Sequence, residues 1–354
     1  MNPNRKIPKA LPFMILFFAA LCVYRVMPGS PGAPPWSVEL TGPIMGTTYS
    51  VKVVGRDLSP ADKAPIEKSA LEAMNGVNAA MSTYLKTSEL SLFNASESTQ
   101  PQPMSAQTLE VVQLSQDISK LTEGRFDVTV GPLINAWGFG PDGPQNQVSE
   151  EQLAELLTYV GYQKLTLNAQ TQSLTKAHPK TYVDLSAIAK GFAVDQVVAS
   201  IEALGHQNYM VEIGGEVYAK GQNAKDATWR IGIETPSAHA PGIFQVVTLS
   251  GEALATSGDY RNFYEKDGLR FSHTIDPQTG RPIKHDLASV SVVAGSCAQA
   301  DALATALNVL GPVKGPELAE QEQISALFII RDKTGKLVER PSSAFANRTK
   351  NAKE

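Results

Sequence analysis

The sequence predicts an α+β protein in which mixed, mostly antiparallel sheets pack against helices. Strand-like runs occur mostly in pairs, and stretches with helical spacing lie between the pairs. That order argues against the regular strand–helix–strand alternation of a parallel sheet. With no internal repeat and no second linker, residues 36–340 are expected to form one continuous domain. Residues 1–35 read as a separate leader, and residues 341–354 as a polar tail.

Taken in order, residues 39–54 are rich in Thr, Val and Tyr and read as strand, with Gly46 inside it. Residues 64–81 carry Ile66, Ala70, Met74, Val77 and Met81 at helical spacing. Residues 108–121 repeat that pattern with Val111, Leu114, Ile118 and Leu121, and Gly124 can end the helix. Ser149 and Gln152 form a capping box before a helix over 153–160, which Gly161 stops. A short hairpin is expected over 165–176. A strand follows over 182–185, and Ser186 is placed to cap a helix to residue 204. Residues 209–220, 229–234, 244–249 and 287–293 read as strands. Ser296 and Gln299 form a second capping box and open a helix to residue 310. Residues 324–330 and 337–339 complete a hairpin around Lys333-Thr334-Gly335. Beyond Pro341 the chain is polar and is expected to be loose.

The leader has a basic start in Arg5, Lys6 and Lys9, an apolar run over 10–24, and Arg25 as its close. That run is shorter than the about 20 residues a full membrane span needs, and it fits an export signal. A Pro/Gly linker follows over 28–35. Cys22 stands where a lipoprotein would be acylated, but Leu21 fills a position that such sites give to a small residue. Cleavage, lipidation and retention as an anchor stay open. The expected location is the periplasm, with a tether to the inner membrane. Cys22 and Cys297 are the only cysteines, too few for a disulfide framework or a Cys-rich metal site. The net charge of −4, with no basic block, leaves nucleic-acid binding without an electrostatic footprint.

Three places could carry chemistry. Asp301 and Thr305 are one helical turn apart and share a face, with Leu303, Leu307 and Leu310 roughly opposite. A carboxylate and a hydroxyl are hard oxygen ligands suited to magnesium or calcium, although a solvated helix face has the same pattern. His273 lies between a strand and the turn sequence Asp276-Pro277-Gln278-Thr279-Gly280, well placed for proton transfer near neutral pH. Asp276 is expected to serve the turn. In the stretch from Val183 to Gly191 a strand enters a helix, whose N-terminal amides and Lys190 suit a phosphate. Asp184 could bind a ligand or simply close a local turn. Glycines cluster at Gly131, at Gly138 and Gly140, and at Gly214-Gly215, but no dinucleotide fingerprint, P-loop or nucleophile elbow is present.

Taken together and in order, these stretches resemble the ApbE family of FAD:protein FMN transferases, from about residue 41 to residue 338. The matching stretches are Met45-Gly46-Thr47-Thr48-Tyr49; Met81-Ser82-Thr83-Tyr84 with Ser88-Glu89-Leu90 and Phe93-Asn94; Gly124-Arg125-Phe126-Asp127 through Leu133; and Trp137-Gly138-Phe139-Gly140. They continue with Val183-Asp184-Leu185-Ser186-Ala187 through Gly191; Gly214-Gly215; Thr256 through Arg261; Ser272 through Gly280; and Ala300-Asp301-Ala302-Leu303-Ala304-Thr305. The resemblance implies FAD contacts at Met45, Tyr84, Arg125, Phe126, Asp127, Asp184, Lys190 and Ile275. It implies Mg2+ ligands at Ala187 (through its carbonyl), Asp301, the position of Ala304, and Thr305. It assigns proton transfer to His273. Some members carry Asp where this chain has Ala304, which removes a carboxylate here.

The implied reaction transfers FMN from FAD to a Thr or Ser hydroxyl of a partner and releases AMP. Partners in the family are exported subunits of redox complexes, such as sodium-pumping quinone reductases, Rnf-type electron-transport complexes or the nitrous-oxide reduction regulator. Two other readings share the pocket: an FAD pyrophosphatase that uses water in place of the hydroxyl, and a non-catalytic flavin carrier.

Overall fold

The computed structural model describes residues 35–140, 148–237, 242–258, 263–266 and 269–351. The leader with Cys22, and Asp259-Tyr260-Arg261 of the family stretch, lie outside the described residues.

The residues read as one strand over 39–54 form a hairpin. Trp36–Ile44 pairs with Thr47–Gly55 through a two-residue turn at Met45-Gly46. Both turn residues have positive φ, 48° and 74°, the geometry that suits the right-handed twist of a hairpin. The single strand expected over 209–220 is likewise two, Tyr209–Ile213 and Glu216–Lys220, joined at Gly214-Gly215 with φ of 67° and 106°. Gly214 donates its N–H to the Thr48 carbonyl at 3.0 Å, so the two turns lie against each other at one end of the sheet. A Cβ on Gly214 would stand 2.9 Å from the Thr47 methyl, which keeps the position small.

These strands belong to an eight-stranded sheet. Its order is Trp36–Ile44, Thr47–Gly55, Tyr209–Ile213, Glu216–Lys220, Glu252–Gly258, Leu287–Ala294, Ser325–Arg331 and Leu337–Pro341. Every neighbouring pair is antiparallel. The sheet therefore bears out the antiparallel expectation. The strand Glu252–Gly258 was not read from sequence: its small residues Ala253, Ala255 and Gly258 hide a β pattern.

The sheet is covered on both faces. Val51, Val211, Val290, Val292 and Phe328 pack in the main core with the helices Lys63–Met81, Ala106–Leu121, Ala189–Ala203 and Cys297–Gln321. Their strand neighbours Val54, Val217, Val293, Leu327 and Ile329 enter a second core. That core is closed by the hairpin Trp229–Glu234 and Ile243–Leu249 and by Phe345. Period-2 alternation between two apolar environments explains why the central strands read as near-continuous hydrophobic runs.

Three local expectations are corrected. The helix over 189–203 has no side-chain cap; Ser186 sits in a turn before it and is exposed. Residues 182–185 contribute only a parallel bridge, Val130 to Tyr182, not a sheet strand. The helix that opens at Cys297 runs to residue 310 as expected. It breaks at Gly311, with φ 76°, and resumes through Pro312 and Pro316.

The third correction is the tail. Ser343–Asn351 is a helix, not a loose end. Ser342 accepts from the Phe345 and Ala326 amides at 3.2 and 3.0 Å, Phe345 is 1% exposed, and Arg348 grips Glu252 through both guanidinium nitrogens at 2.5 and 2.7 Å. One apolar anchor in a polar stretch is below what periodicity can register. Phe345→Ala is expected to cost about 3–5 kcal/mol, the range for a buried aromatic reduced to a methyl. Urea unfolding of the purified chain would measure it; a loss under about 1 kcal/mol would mean that the tail helix adds little.

Candidate active site

A cavity of 510 Å3 gathers residues from at least seven separate segments. The loop at Arg125–Val130, the Asp184–Lys190 segment and the Gly214-Gly215 turn form part of its wall. The strands at 231–234 and 256–258, the His273–Pro277 loop, and Asp301 with Thr305 on the long helix form the rest. Asp301 and Thr305 do share a helical face toward the cavity, while Leu303 and Leu307 are buried in the main core.

The His273 loop is fixed on several sides. Its turn closes with the Gly280 amide on the Asp276 carbonyl at 2.8 Å, and Asp276 Oδ1 accepts from the Gln278 amide at 3.0 Å. Asp276 Oδ2 also pairs with Arg125 Nη1 at 2.7 Å, a role beyond the turn. Trp137 Nε1 donates to the Gly280 carbonyl at 2.7 Å. Phe139 meets the His273 ring edge-on, with centroids 6.5 Å apart. Ile275 is buried beneath the loop. The histidine thus reaches the cavity from a loop that packing and hydrogen bonds hold in one geometry.

The neighbouring loop is held by Asp127. Its Oδ1 accepts from the Thr129 amide and hydroxyl at 2.8 and 2.6 Å, and Oδ2 accepts from the Tyr162 amide at 2.6 Å. Burial pushes this carboxyl up, and those donors oppose the shift. The carboxylate is therefore engaged in shaping the loop that presents Arg125 and Phe126. Asp184 combines both readings that the sequence allowed. It closes a turn by accepting from the Ser186 amide at 2.8 Å, and it borders the cavity.

The charged floor is Lys190, Glu216 and Asp301. Lys190 Nζ lies 3.5 Å from Glu216 Oε1 and 3.5 Å from Asp301 Oδ2. Burial works against the ammonium, but the two carboxylates outweigh it and hold Lys190 above the ordinary lysine range. Burial pushes Glu216 up to about 8, with Lys190 opposing and Asp301 adding to the rise. Burial also raises Asp301 against the pull of Lys190. The Gly191 amide donates to Asp301 Oδ2 at 3.1 Å. One of the helix-start amides that the sequence offered to a phosphate is thus spent on Asp301.

Two carboxylates face one ammonium here, and Glu216 Oε2 is buried with no hydrogen-bond partner in the protein. An unpaired buried carboxylate oxygen is costly, so the floor calls for an added cation or donor. Asp301, Thr305 and the Ala187 carbonyl offer hard oxygens, the chemistry magnesium prefers. Among the described residues no three His, Cys, Asp or Glu converge on a metal position. That fits an ion that keeps waters and takes substrate phosphates as ligands, not one caged by protein carboxylates.

Three expected site residues stand apart from the cavity wall. Met45 is in the hairpin turn beside Gly214, partly buried against the main core. Tyr84 is 66% exposed, and its hydroxyl lies 3.5 Å from the Phe139 carbonyl. Burial pushes the Tyr84 hydroxyl up, and Asp184 on the cavity wall is near enough to add to the rise. Ala304 is buried in the main core. Conversely, sequence reading missed Glu216 and the Ile231–Glu234 wall. Glu216 had one signal, its place directly after the Gly214-Gly215 turn; the wall had none.

The ApbE family model matches residues 45–328. The chain is 45% identical over 313 residues to the FAD:protein FMN transferase of Vibrio cholerae, spanning 88% of this chain and 92% of that one. It is 46% identical over 319 residues to that of Haemophilus influenzae, spanning 88% and 91%. Among solved structures, the flavin transferase ApbE from Vibrio cholerae superposes with a TM-score of 0.81 at 43% identity, over 89% of this chain and 99% of that one. The apo flavinyl transferase ApbE of Pseudomonas stutzeri gives 0.81 at 39% identity, over 89% and 97%.

Proposed function

Because this chain belongs to the ApbE family of FAD:protein FMN transferases, we propose that it moves FMN from FAD onto a Thr or Ser hydroxyl of an exported redox-complex subunit, with Mg2+, and releases AMP. The observation that carries this reading is the convergence of His273 with Asp301 and Thr305 on one cavity, above the Lys190–Glu216–Asp301 floor.

An alcohol is a weak nucleophile, and the pyrophosphate repels it. An imidazole nitrogen of His273 takes the hydroxyl proton as the oxygen bonds to the FMN phosphorus, and the bond from that phosphorus to the AMP oxygen breaks. Base assistance of this kind contributes about 10²–10⁴ in rate. Asp301, Thr305 and the Ala187 carbonyl would hold the magnesium, which when bound neutralises phosphate charge and eases AMP departure. Lys190 places a fixed positive charge at the cavity floor, and Arg125, braced by Asp276, holds another at the wall.

The leader supports a periplasmic site of action with a membrane tether, where exported subunits meet the enzyme. To test the activity, the full chain is mixed with FAD, Mg2+ and an exported acceptor subunit, then run on a denaturing gel. A fluorescent acceptor band is expected, and excess EDTA is expected to reduce it to background until Mg2+ is restored. Free FMN without a band would point to hydrolysis, and unchanged FAD to a carrier. Transfer that survives complete chelation would remove the metal from the reaction.

A further inference from the structure

The metal-binding face sits on a helix whose first turn is held by another helix. Asp195, on Ala189–Ala203, reaches across to the start of Cys297–Gln321. Its Oδ1 accepts from the Cys297 amide and its Oδ2 from the Ala298 amide, each at 2.8 Å. The first amides of a helix have no intrahelical partner, so a carboxylate there satisfies two of them and complements the positive end of the helix. The local cap, Ser296, accepts from the Gln299 amide at 3.3 Å. One helix end is thus held by its own cap and by a carboxylate from a neighbour.

One turn before Asp195, the same helix face makes two more contacts with the same segment. A Cβ on Gly191 would stand 2.3 Å from the Cys297 carbonyl oxygen, so the backbones touch where only glycine fits. The Gly191 amide donates to Asp301 Oδ2 at 3.1 Å, and Lys190 Nζ stands 3.5 Å from that oxygen. Residues 190, 191 and 195 therefore grip residues 297, 298 and 301. The grip sets how far the long helix slides or turns relative to the helix that carries Lys190.

We propose that Asp195 is a positioning residue of the transferase site: by clamping the start of the long helix against Ala189–Ala203, it fixes the Asp301 and Thr305 oxygens where magnesium and the FAD phosphates meet them. Asp195 touches neither ion nor substrate. The inference rests on the metal role proposed above for Asp301 and Thr305.

The test uses full-length protein with three substitutions. Asp195→Asn keeps the shape but loses the charge and one acceptor oxygen. Asp195→Glu keeps both acceptors but lengthens the arm by one methylene, which displaces the helix. Ser296→Ala removes the local cap and leaves the clamp between helices intact. For each, the Mg2+ concentration giving half-maximal transfer, the rise in Tm on adding Mg2+, and FAD binding without metal (by flavin fluorescence) are measured. Asp195→Asn and Asp195→Glu are expected to raise the Mg2+ half-saturation about tenfold or more, as the loss of outer-shell supports does. They should also shrink the Mg2+-induced Tm rise, while metal-free FAD binding stays within about twofold of wild type. Ser296→Ala is expected to lower Tm and leave the Mg2+ half-saturation unchanged. Equal shifts in all three variants would overturn the clamp in favour of general softening. An unshifted Asp195→Asn in a wild type that responds to Mg2+ would overturn the clamp alone. A wild type indifferent to Mg2+ would overturn the metal role and this inference with it.

Discussion

His273→Ala is expected to slow flavin transfer by about 10²–10⁴-fold, the usual contribution of a positioned general base, while FAD stays bound. The expectation follows from where the ring is and what holds it. Asp276, Gly280 and Trp137 fix the loop through hydrogen bonds that do not involve the imidazole, and the ring adds an edge contact with Phe139. Removing the ring therefore takes away proton acceptance and leaves the cavity walls standing. Single-turnover transfer at saturating FAD isolates this step from binding. A tighter version of the test raises pH on the alanine variant. As hydroxide rises, the acceptor hydroxyl ionises more readily, so the gap to wild type should narrow. A variant that transfers flavin at the wild-type rate would remove His273 from the chemistry, and one that no longer binds FAD would make the histidine a binding residue.

The second large effect is expected at Asp301. Asp301→Asn keeps the side-chain volume but removes the negative charge that faces Lys190 and the proposed metal position. Metal stabilisation of transition-state charge is worth several kcal/mol, so transfer should fall by roughly 10³-fold or more at 1.36 kcal/mol per factor of ten. The loss should respond only weakly to added Mg2+, because the ligand itself is gone. Two consequences distinguish this from unfolding. The Gly191 amide still has a side-chain oxygen to meet, so circular dichroism should remain that of wild type. Lys190 loses one of its two carboxylate partners and turns wholly to Glu216. Isothermal titration with Mg2+ in the presence of FAD would measure the ion directly. Unchanged Mg2+ affinity would show that Asp301 is not a ligand.

The parts of this molecule legible in sequence are those that a short window specifies. The helix Lys63–Met81 was legible because Ile66, Ala70, Met74 and Val77 bury one stripe. The starts at Ser149 and Ser296 were legible because capping is local, and both hydroxyls do accept from the amide three residues on. The antiparallel character followed from paired strands. What escaped depends on distant partners. Glu252–Gly258 sits between two central strands although its own residues are mostly small. Phe345 fastens a polar helix through contacts with a core made by strands elsewhere in the chain. In the site, Asp301, Thr305 and His273 entered through an ordered family pattern, and the cavity joins them. Glu216 and Asp195 act through residues on other elements: Lys190 for the first, the amides of 297 and 298 for the second. No local spacing encodes such a pairing. Ser186 failed for the opposite reason. Its local signal was sound, but the preferred turn at Asp184 delays the helix start by two residues, from 187 to 189.

The strand order has a consequence for how the chain is made. Thr47–Gly55 pairs with Tyr209–Ile213, about 150 residues further along. Closing so long a loop costs entropy before any contact returns it. The first hairpin must therefore wait, with one edge open, until the polypeptide up to residue 213 has emerged. Such non-local pairing makes folding slow. Under the export proposed above, that delay would be an advantage: the half that leads would not lock into its final shape while the rest is still in transit.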